Sequence, residues 1–359
     1  MYFEFLEERG TEQVVFCRDD ESGLQAIIAI HSTALGPSLG GCRFYPYDDD
    51  LAAYWDVLRL AEGMTYKAAA AGLDVGGGKS VIIGDPRLHA TEDLFKAFGR
   101  HVHSLGGRYV TAEDVGTTCA HMDAVRTETP HVVGVSKHLG GAGDPSPMTA
   151  EGVANAMRAA AEFRWGSTGL DGRHVAVIGT GKVGYNLVAI LHAAGALTTV
   201  ADTNADAVAR CVREFGSDVA DPGEIVELEC DILAPCALGA VFDEVNVDRL
   251  RCDIICGAAN NQLANEDLAE LIAQRDILYA PDFIVNAGGL INVAVELEGY
   301  HAGRAHELVA RIYKTTKRTL ERARDDAVST AVAARQLAQA RIDSVTATPT
   351  TTGATTKGP

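Results

Sequence analysis

The stretch HVAVIGTGKVGYNLVAILHAAGALTTVAD, residues 174–202, constrains the fold more than any other part of the chain. HVAVIG reads as a strand, KVGYNLVAILHAAG as a helix and LTTVAD as a second strand ending on Asp202. Between the first strand and the helix lie Gly179, Gly181 and Gly184 in a G-x-G-x-x-G pattern, which is weak evidence alone but specific in a strand–turn–helix context. Gly179 permits the tight turn, Gly181 lets a pyrophosphate approach the backbone, and Gly184 lets helix and strand pack closely. The free N–H groups and dipole of the helix N-terminus favour an anion there. Thr180, Lys182 and Val183 complete the loop. Asp202 would accept hydrogen bonds from ribose hydroxyls and repel a 2'-phosphate, and the following TNAD supplies no arginine, so NAD is expected rather than NADP.

Short apolar runs follow at DILAPCA, DIICGAAN and ILYAPD, and runs of this kind separated by helices indicate a parallel sheet. Upstream, residues 25–31 and 81–83 read as strands, 51–70 as a helix, and Thr149 as the N-cap of a helix through AEGVANAMRAAAEF. Helical periodicity returns from His301 to about Ile342, after which VTATPTTTGATTKGP has too few bulky apolar residues to offset the entropy of ordering. The two halves therefore differ: an α/β unit with a mixed sheet, then a doubly wound unit.

A net charge of −18 and a pI near 5.0 argue against a nucleic-acid partner. No apolar run reaches the roughly 18 residues of a membrane span, and the N-terminal MYFEFLEERG is acidic, so a cytoplasmic location is expected. Eight cysteines are scattered without C-x-x-C or zinc-site spacing, which predicts free buried thiols and no metal. Cys252 and Cys256 are expected on one face of one strand.

AGLDVGGGKSVIIGDP, residues 71–86, resembles a phosphate loop, but Leu73 occupies the place of that motif's first glycine. The order of elements also disagrees, because the segment follows a helix and opens a strand. Lys79 is thus expected at the start of a strand, beside a flexible glycine loop. Lys67 lies in the otherwise apolar MTYKAAAAGL, where a lysine reaching along the surface to solvent is the ordinary reading. If both lysines converge on one cleft, repulsion and desolvation lower the pKa of one of them, as a lysine base needs. GGRYVTAEDVGTT adds Glu113 and Asp114, which point to opposite sides of an extended chain.

Together HSTALGPSLGGCRFYPY, MTYKAAAAGLDVGGGKS, GGRYVTAEDVGT, GGAGDPSPMTA, VIGTGKVG, APCALGA, GAANNQLA and LYAPDFIVNAGG, in this order, resemble the amino-acid dehydrogenases of the glutamate, leucine, phenylalanine and valine group. Within that group the likeness is strongest to the leucine and valine enzymes. The resemblance implies a two-domain α/β fold with the active-site cleft between the domains. Residues 1–148 would form a substrate-binding, catalytic and oligomerisation domain, rejoined by a C-terminal helix at 326–342. Residues 149–325 would form the Rossmann NAD-binding domain, and 343–359 a disordered tail. By position, Lys67 would hold the substrate α-carboxylate, Lys79 would be the base that activates water, and Asp114 would shuttle protons to the amino group and its leaving ammonia. Gly40 and Asn261 would help fix the substrate, while Thr149, Ala237, Asn260 and Asn286 would meet the cofactor.

The same resemblance places Leu39, Ala112, Leu290 and Val293 around the substrate side chain. Glutamate-specific relatives carry a lysine at the position of Leu39. Burying a glutamate carboxylate there unpaired would cost on the order of several kcal/mol. Phenylalanine enzymes differ at TAEDVGTT, so leucine, valine and isoleucine are the expected substrates, with 2-oxo acids and ammonia as products. One methylene discriminates by only about 1–3 kcal/mol, so the choice among them stays open, although Leu290 in place of a common valine narrows the pocket toward valine. Val295 departs from an acidic residue common at its position. A homo-oligomer built on the first domain is implied. The other readings are the same chemistry on L-phenylalanine and a non-catalytic NAD-binding regulator, which would be expected to lose Lys67, Lys79 or Asp114.

Overall fold

The computed structural model describes residues 2–237, 239 and 241–346. The first unit opens with helix α1 (Tyr2–Arg9) and strands β1 (Gln13–Asp19), β2 (Leu24–Ser32) and β3 (Ser38–Tyr45), followed by helix α2 (Asp50–Ala70) and strand β4 (Gly76–Ile83). Helices α3 (Pro86–His89) and α4 (Glu92–Ser104), strand β5 (Tyr109–Glu113) and helix α5 (Cys119–Arg126) complete it. The sheet order is β1-β2-β4-β3-β5, antiparallel across β1, β2 and β4 and parallel across β4, β3 and β5.

The nearly unbroken apolar sequence of β2 follows from burial on both faces. Ile28 and Ile30 pack with Phe44, Phe95 and Phe98 beneath α4, whereas Ile27 and Ala29 face Tyr54, Val57 and Leu58 of α2. Val81 belongs to the α2 side. Alternation along β4 therefore sends Gly77 and Lys79 toward α2 as well. The glycine run is not the flexible loop expected from the sequence: Gly76, Gly77 and Gly78 are strand residues. A Cβ on Gly77 would lie 2.1 Å from the Thr65 nitrogen, so the missing side chain lets α2 lie directly on β4.

Helix α6 (Ser146–Trp165) leads into the second unit. It starts earlier than expected: Thr149 is not its N-cap but lies in its first turn, with Oγ1 donating to the Pro145 carbonyl at 3.1 Å, while Asp144 accepts from the Ser146 amide at 2.9 Å. Strand β6 (His174–Ile178), helix α7 (Lys182–Ala193), strand β7 (Leu197–Ala201), helix α8 (Ala205–Phe215), strands β8 (Asp218–Val219), β9 (Cys230–Pro235) and β10 (Cys252–Ile255), helix α9 (Leu268–Gln274) and strand β11 (Leu278–Tyr279) follow. They form a parallel sheet ordered β11-β10-β9-β6-β7-β8. The chain leaves β6 toward β7 on one side and returns to β9 on the other, so the topological switch point lies at the C-terminal end of β6. The Cys252–Cys256 expectation fails because β10 ends at Ile255: Cys252 and Cys256 are both buried but join different apolar clusters.

Short helices α10 (Asp282–Val285) and α11 (Gly288–Ala294) precede α12 (Ala302–Asp326), which packs along α6, and α13 (Thr330–Thr346), which returns to α2. There Ala338 packs with Leu35 and Ala69, and Arg341 donates to the Leu73 carbonyl at 2.6 Å and to Asp74 at 2.8 Å. Residues 343–346, expected in a tail, are helical, and 347–359 lie outside the described residues. Among the described residues no helix is long and apolar enough to cross a membrane, and no group of three acidic, histidine or cysteine side chains is arranged to hold a metal ion.

Candidate active site

Lys79, 5% exposed, sits in β4 with its Nζ 2.8 Å from Asp114 Oδ2. Asp114 follows β5 in a loop fixed by Thr117, whose Oγ1 accepts the Asp114 amide at 2.8 Å and donates to the Cys42 carbonyl at 2.9 Å. Arg43 on β3 places its Nε 3.2 Å from the same Asp114 oxygen and its Nη1 2.8 Å from Asp56 Oδ2 on α2. Asp56 also accepts from the Tyr47 hydroxyl at 2.7 Å and from Arg59 at 2.8 Å. Burial pushes the Asp114 carboxyl up, but Lys79 and Arg43 outweigh burial and hold it below the usual carboxylate range. Sequence reasoning missed Arg43 and Asp56; the signal available was an arginine inside the apolar strand SLGGCRFY.

Lys67, half-buried on α2, donates from Nζ to Asn260 Oδ1 at 3.0 Å. Asn286 donates to the same oxygen at 2.7 Å and to the Ala258 carbonyl at 3.0 Å. Two residues expected on the cofactor side are thus linked to the expected carboxylate ligand across the two units. Lys67 and Lys79 do not share a polar partner. The lowered lysine pKa falls on Lys67, the expected carboxylate ligand and not the expected base: burial, with some repulsion from Lys79, brings it down to about 8 against the attraction of Asp282 and Asp114. Asp282 is another residue that the sequence did not single out. Burial raises its pKa against the pull of Lys67, and it accepts the Phe283 amide at 2.7 Å and the Gln262 amide at 3.3 Å. Between these anchors Asn261 takes a left-handed conformation, φ 51°, which an asparagine tolerates better than most residues.

Leu39, Ala112, Leu290 and Val293 are all buried and share one apolar cluster. Gly40 lies so close to β4 that a Cβ would meet the Gly78 carbonyl at 1.7 Å, and its own carbonyl accepts from the Tyr109 hydroxyl at 2.8 Å. Val295 is buried and apolar, and the polar contact at this turn comes from its neighbour. Glu296 accepts from the Gly134 and Ala142 amides at 3.0 and 2.8 Å, tying the end of α11 to the chain between α5 and α6.

The glycine loop fits a dinucleotide. Gly179 has φ +95°, and a Cβ there would come within 2.8 Å of Ala237; one on Gly184 would lie 1.9 Å from the Gly179 carbonyl. A Cβ on Gly181 would meet nothing within 4 Å, and Gly181 caps α7 without a side-chain acceptor, which leaves the helix N-terminus without a side-chain cap. Asp202 Oδ2 accepts the Thr180 amide at 2.7 Å and Oδ1 the Asn204 amide at 2.8 Å. Burial raises the Asp202 carboxyl, but the hydrogen bonds from Asn204 and Thr180 bring it below the ordinary value. The exposed Lys182 reaches Asp144 Oδ2 at 3.6 Å, Val183 packs on the core, and Thr149 stands against Gly289. Asn286, 5% exposed, keeps its Oδ1 buried without a partner, an acceptor suited to a carboxamide N–H.

Sequence models described as Glu/Leu/Phe/Val dehydrogenase, dimerisation domain, and Glutamate/Leucine/Phenylalanine/Valine dehydrogenase match residues 11–131 and 202–347. The chain is 52% identical over 343 residues to the leucine dehydrogenase of Bacillus cereus, covering 96% of this chain and 94% of that one. To the valine dehydrogenase of Streptomyces virginiae it is 51% identical over 339 residues, covering 94% and 95%. The crystal structure of L-tryptophan dehydrogenase from Nostoc punctiforme matches the fold with a TM-score of 0.85 at 44% identity, covering 96% of this chain and 100% of that one.

Proposed function

This chain belongs to the Glu/Leu/Phe/Val dehydrogenase family and is an amino-acid dehydrogenase, and from that premise we propose that it reversibly deaminates leucine, valine and isoleucine with NAD. The observation that carries this reading is an ion pair between buried Lys79 and partly buried Asp114, close enough to Lys67 to act on its charge, beside an apolar cluster that has leucine at position 39.

Lys67, as an ammonium, binds the α-carboxylate, exchanging Asn260 for the substrate as partner. Gly40 and Asn261 complete the grip on the polar end of the substrate, and Leu39, Ala112, Leu290 and Val293 enclose its side chain. NAD, when bound, supplies the acceptor for the hydride that leaves the α-carbon. Its pyrophosphate would be held at Gly179–Gly184 with Thr180, Lys182 and Val183, its ribose by Asp202, and its nicotinamide end by Ala237, Asn260 and Asn286 beside Thr149. Lys79, after releasing its own proton to solvent, takes one from the water that adds to the substrate iminium carbon. Asp114 takes a proton from the substrate ammonium before the hydride leaves, returns it to the nitrogen of the carbinolamine, and accepts the hydroxyl proton as that intermediate collapses to a 2-oxo acid and ammonia. The engagement of Asp202 with the glycine loop supports NAD over NADP, since a 2'-phosphate would face a carboxylate.

The first unit, with α13, is the substrate and association module in this reading, and the protein is a cytoplasmic homo-oligomer; light scattering should give a mass that is a multiple of 37.9 kDa. The test of function is NADH formation from NAD with L-valine, L-leucine, L-isoleucine and L-phenylalanine. Higher kcat/KM for the branched-chain substrates supports the reading, and higher kcat/KM for valine than leucine supports the narrowing by Leu290. Preference for phenylalanine overturns the pocket assignment, and no turnover of any amino acid overturns the reaction.

A further inference from the structure

We propose that Arg43 is a positioning residue for Asp114: with Lys79 it ties down Oδ2, so that Oδ1 is the oxygen that exchanges protons with the substrate nitrogen. This inference rests on the role given to Asp114 above. Lys79 Nζ and Arg43 Nε approach the same carboxylate oxygen, at 2.8 and 3.2 Å, and the Val115 amide also hydrogen-bonds the carboxylate. Rotating the carboxylate would break both ion pairs, so Oδ1 is presented in one place.

The two cations differ in a way the chemistry needs. A lysine that serves as the base alternates between charged and neutral during turnover, whereas a guanidinium stays charged throughout. In the half-cycle when Lys79 is neutral, Arg43 is the charge that keeps Asp114 ionised. The charged groups around Asp114 are Lys79, Arg43, Lys67 and the neighbouring Glu113. Asp56 solves a second problem. A guanidinium beside an amino-acid site could capture the substrate carboxylate in place of Lys67. Nη1 is instead committed to Asp56, itself held by Tyr47 and Arg59.

The test uses Arg43→Gln and Arg43→Lys in the full chain. Arg43→Gln should lower kcat by at least ~10-fold, change substrate KM by less than ~3-fold, and move the acidic limb of the kcat profile up by about one pH unit. Arg43→Lys keeps the charge but cannot bridge Asp114 and Asp56, and should shift the limb less while still lowering kcat. Asp56→Asn should change the limb in the wild-type background and leave it unchanged in the Arg43→Gln background, because its effect passes through Arg43. In crystals of unliganded Arg43→Gln, the Asp114 carboxylate should be rotated away from its present orientation. An acidic limb that stays in place, or losses of kcat that only follow loss of thermal stability, would overturn the proposal, as would an unmoved Asp114. If the wild-type protein turns over no amino acid, the function assigned above fails, while the crystal comparison still decides whether Arg43 orients Asp114.

Discussion

In its proposed role Lys67 faces two opposed demands: it would have to be charged to bind a carboxylate, yet it is half-buried near Lys79. With its pKa lowered to about 8 by burial, its ammonium is present below that pH and is lost above it. Binding of a 2-oxo acid to the NADH complex, followed by fluorescence, should therefore weaken as pH rises through about 8. Lys67→Ala should bind weakly at every pH and lack this limb; a wild-type affinity constant from pH 7 to 10 would remove Lys67 from the carboxylate site. Lys79→Ala should lower kcat by about 10²–10⁴-fold, the usual range for a lost acid–base group, and leave NAD binding near normal. Near-normal turnover of this variant would sink the assignment of the base. At this scale the sequence singled out Lys79, Asp114 and the glycine loop, and the structure brings Lys79 and Asp114 together, but the chemistry given to the pair came from the resemblance and not from a motif. The sequence was silent on Asp282 and Asp56, because their partners lie on other elements and an acidic residue within a motif or on a helix reads as solvated until its neighbours are known.

At the scale of elements, two glycines separate folding from binding. Gly77 faces α2 with no room for a methyl group, and a Cβ there would collide with the Thr65 backbone. Gly77→Ala should thus destabilise the protein by about 1–3 kcal/mol or more, the range for overpacking, read as a lower midpoint in urea. Gly181 has φ −62° and an empty surround, so Gly181→Ala should leave stability within about 0.5 kcal/mol and raise KM for NAD, since the added methyl occupies the space the pyrophosphate would enter. The reverse pattern would mean that the glycine loop is a packing feature. This distinction explains which elements could be read in advance. The strand–turn–helix at 174–193 is encoded locally, whereas GGGKS is a strand because it pairs with β2 and β3, which lie far from it in the chain, and its glycines let α2 lie against it at Thr65. Thr149 was misplaced as a cap for a similar reason: Ser-Pro at 146–147 starts α6 a turn sooner, with Pro fitting the first helical turn.

For the molecule as a whole, the last helix decides how the two units work together. The chain enters the second unit through α6, folds its parallel sheet, runs back along α6 as α12, and ends with α13 on the first unit's α2. Arg341 holds the carbonyl of Leu73 and the carboxylate of Asp74 just beyond the C-terminal end of α2, one turn past Lys67. An arginine that satisfies a carbonyl near a helix C-terminus also favours the negative end of the helix dipole. Arg341→Ala should accordingly loosen the end of α2 that carries Lys67. Substrate KM should rise about 3–10-fold, corresponding to roughly 1 kcal/mol of lost positioning, while the dissociation constant of NADH, which the proposal assigns to the second unit, stays within about 2-fold. Calorimetry with and without NADH separates this from general instability: the cofactor should raise the melting temperature of wild type and variant equally, because its site is intact in both. A variant that loses NADH affinity as fully as substrate affinity would show that α13 braces the cleft from both sides, and the division of labour between α2 and the glycine loop would have to be redrawn.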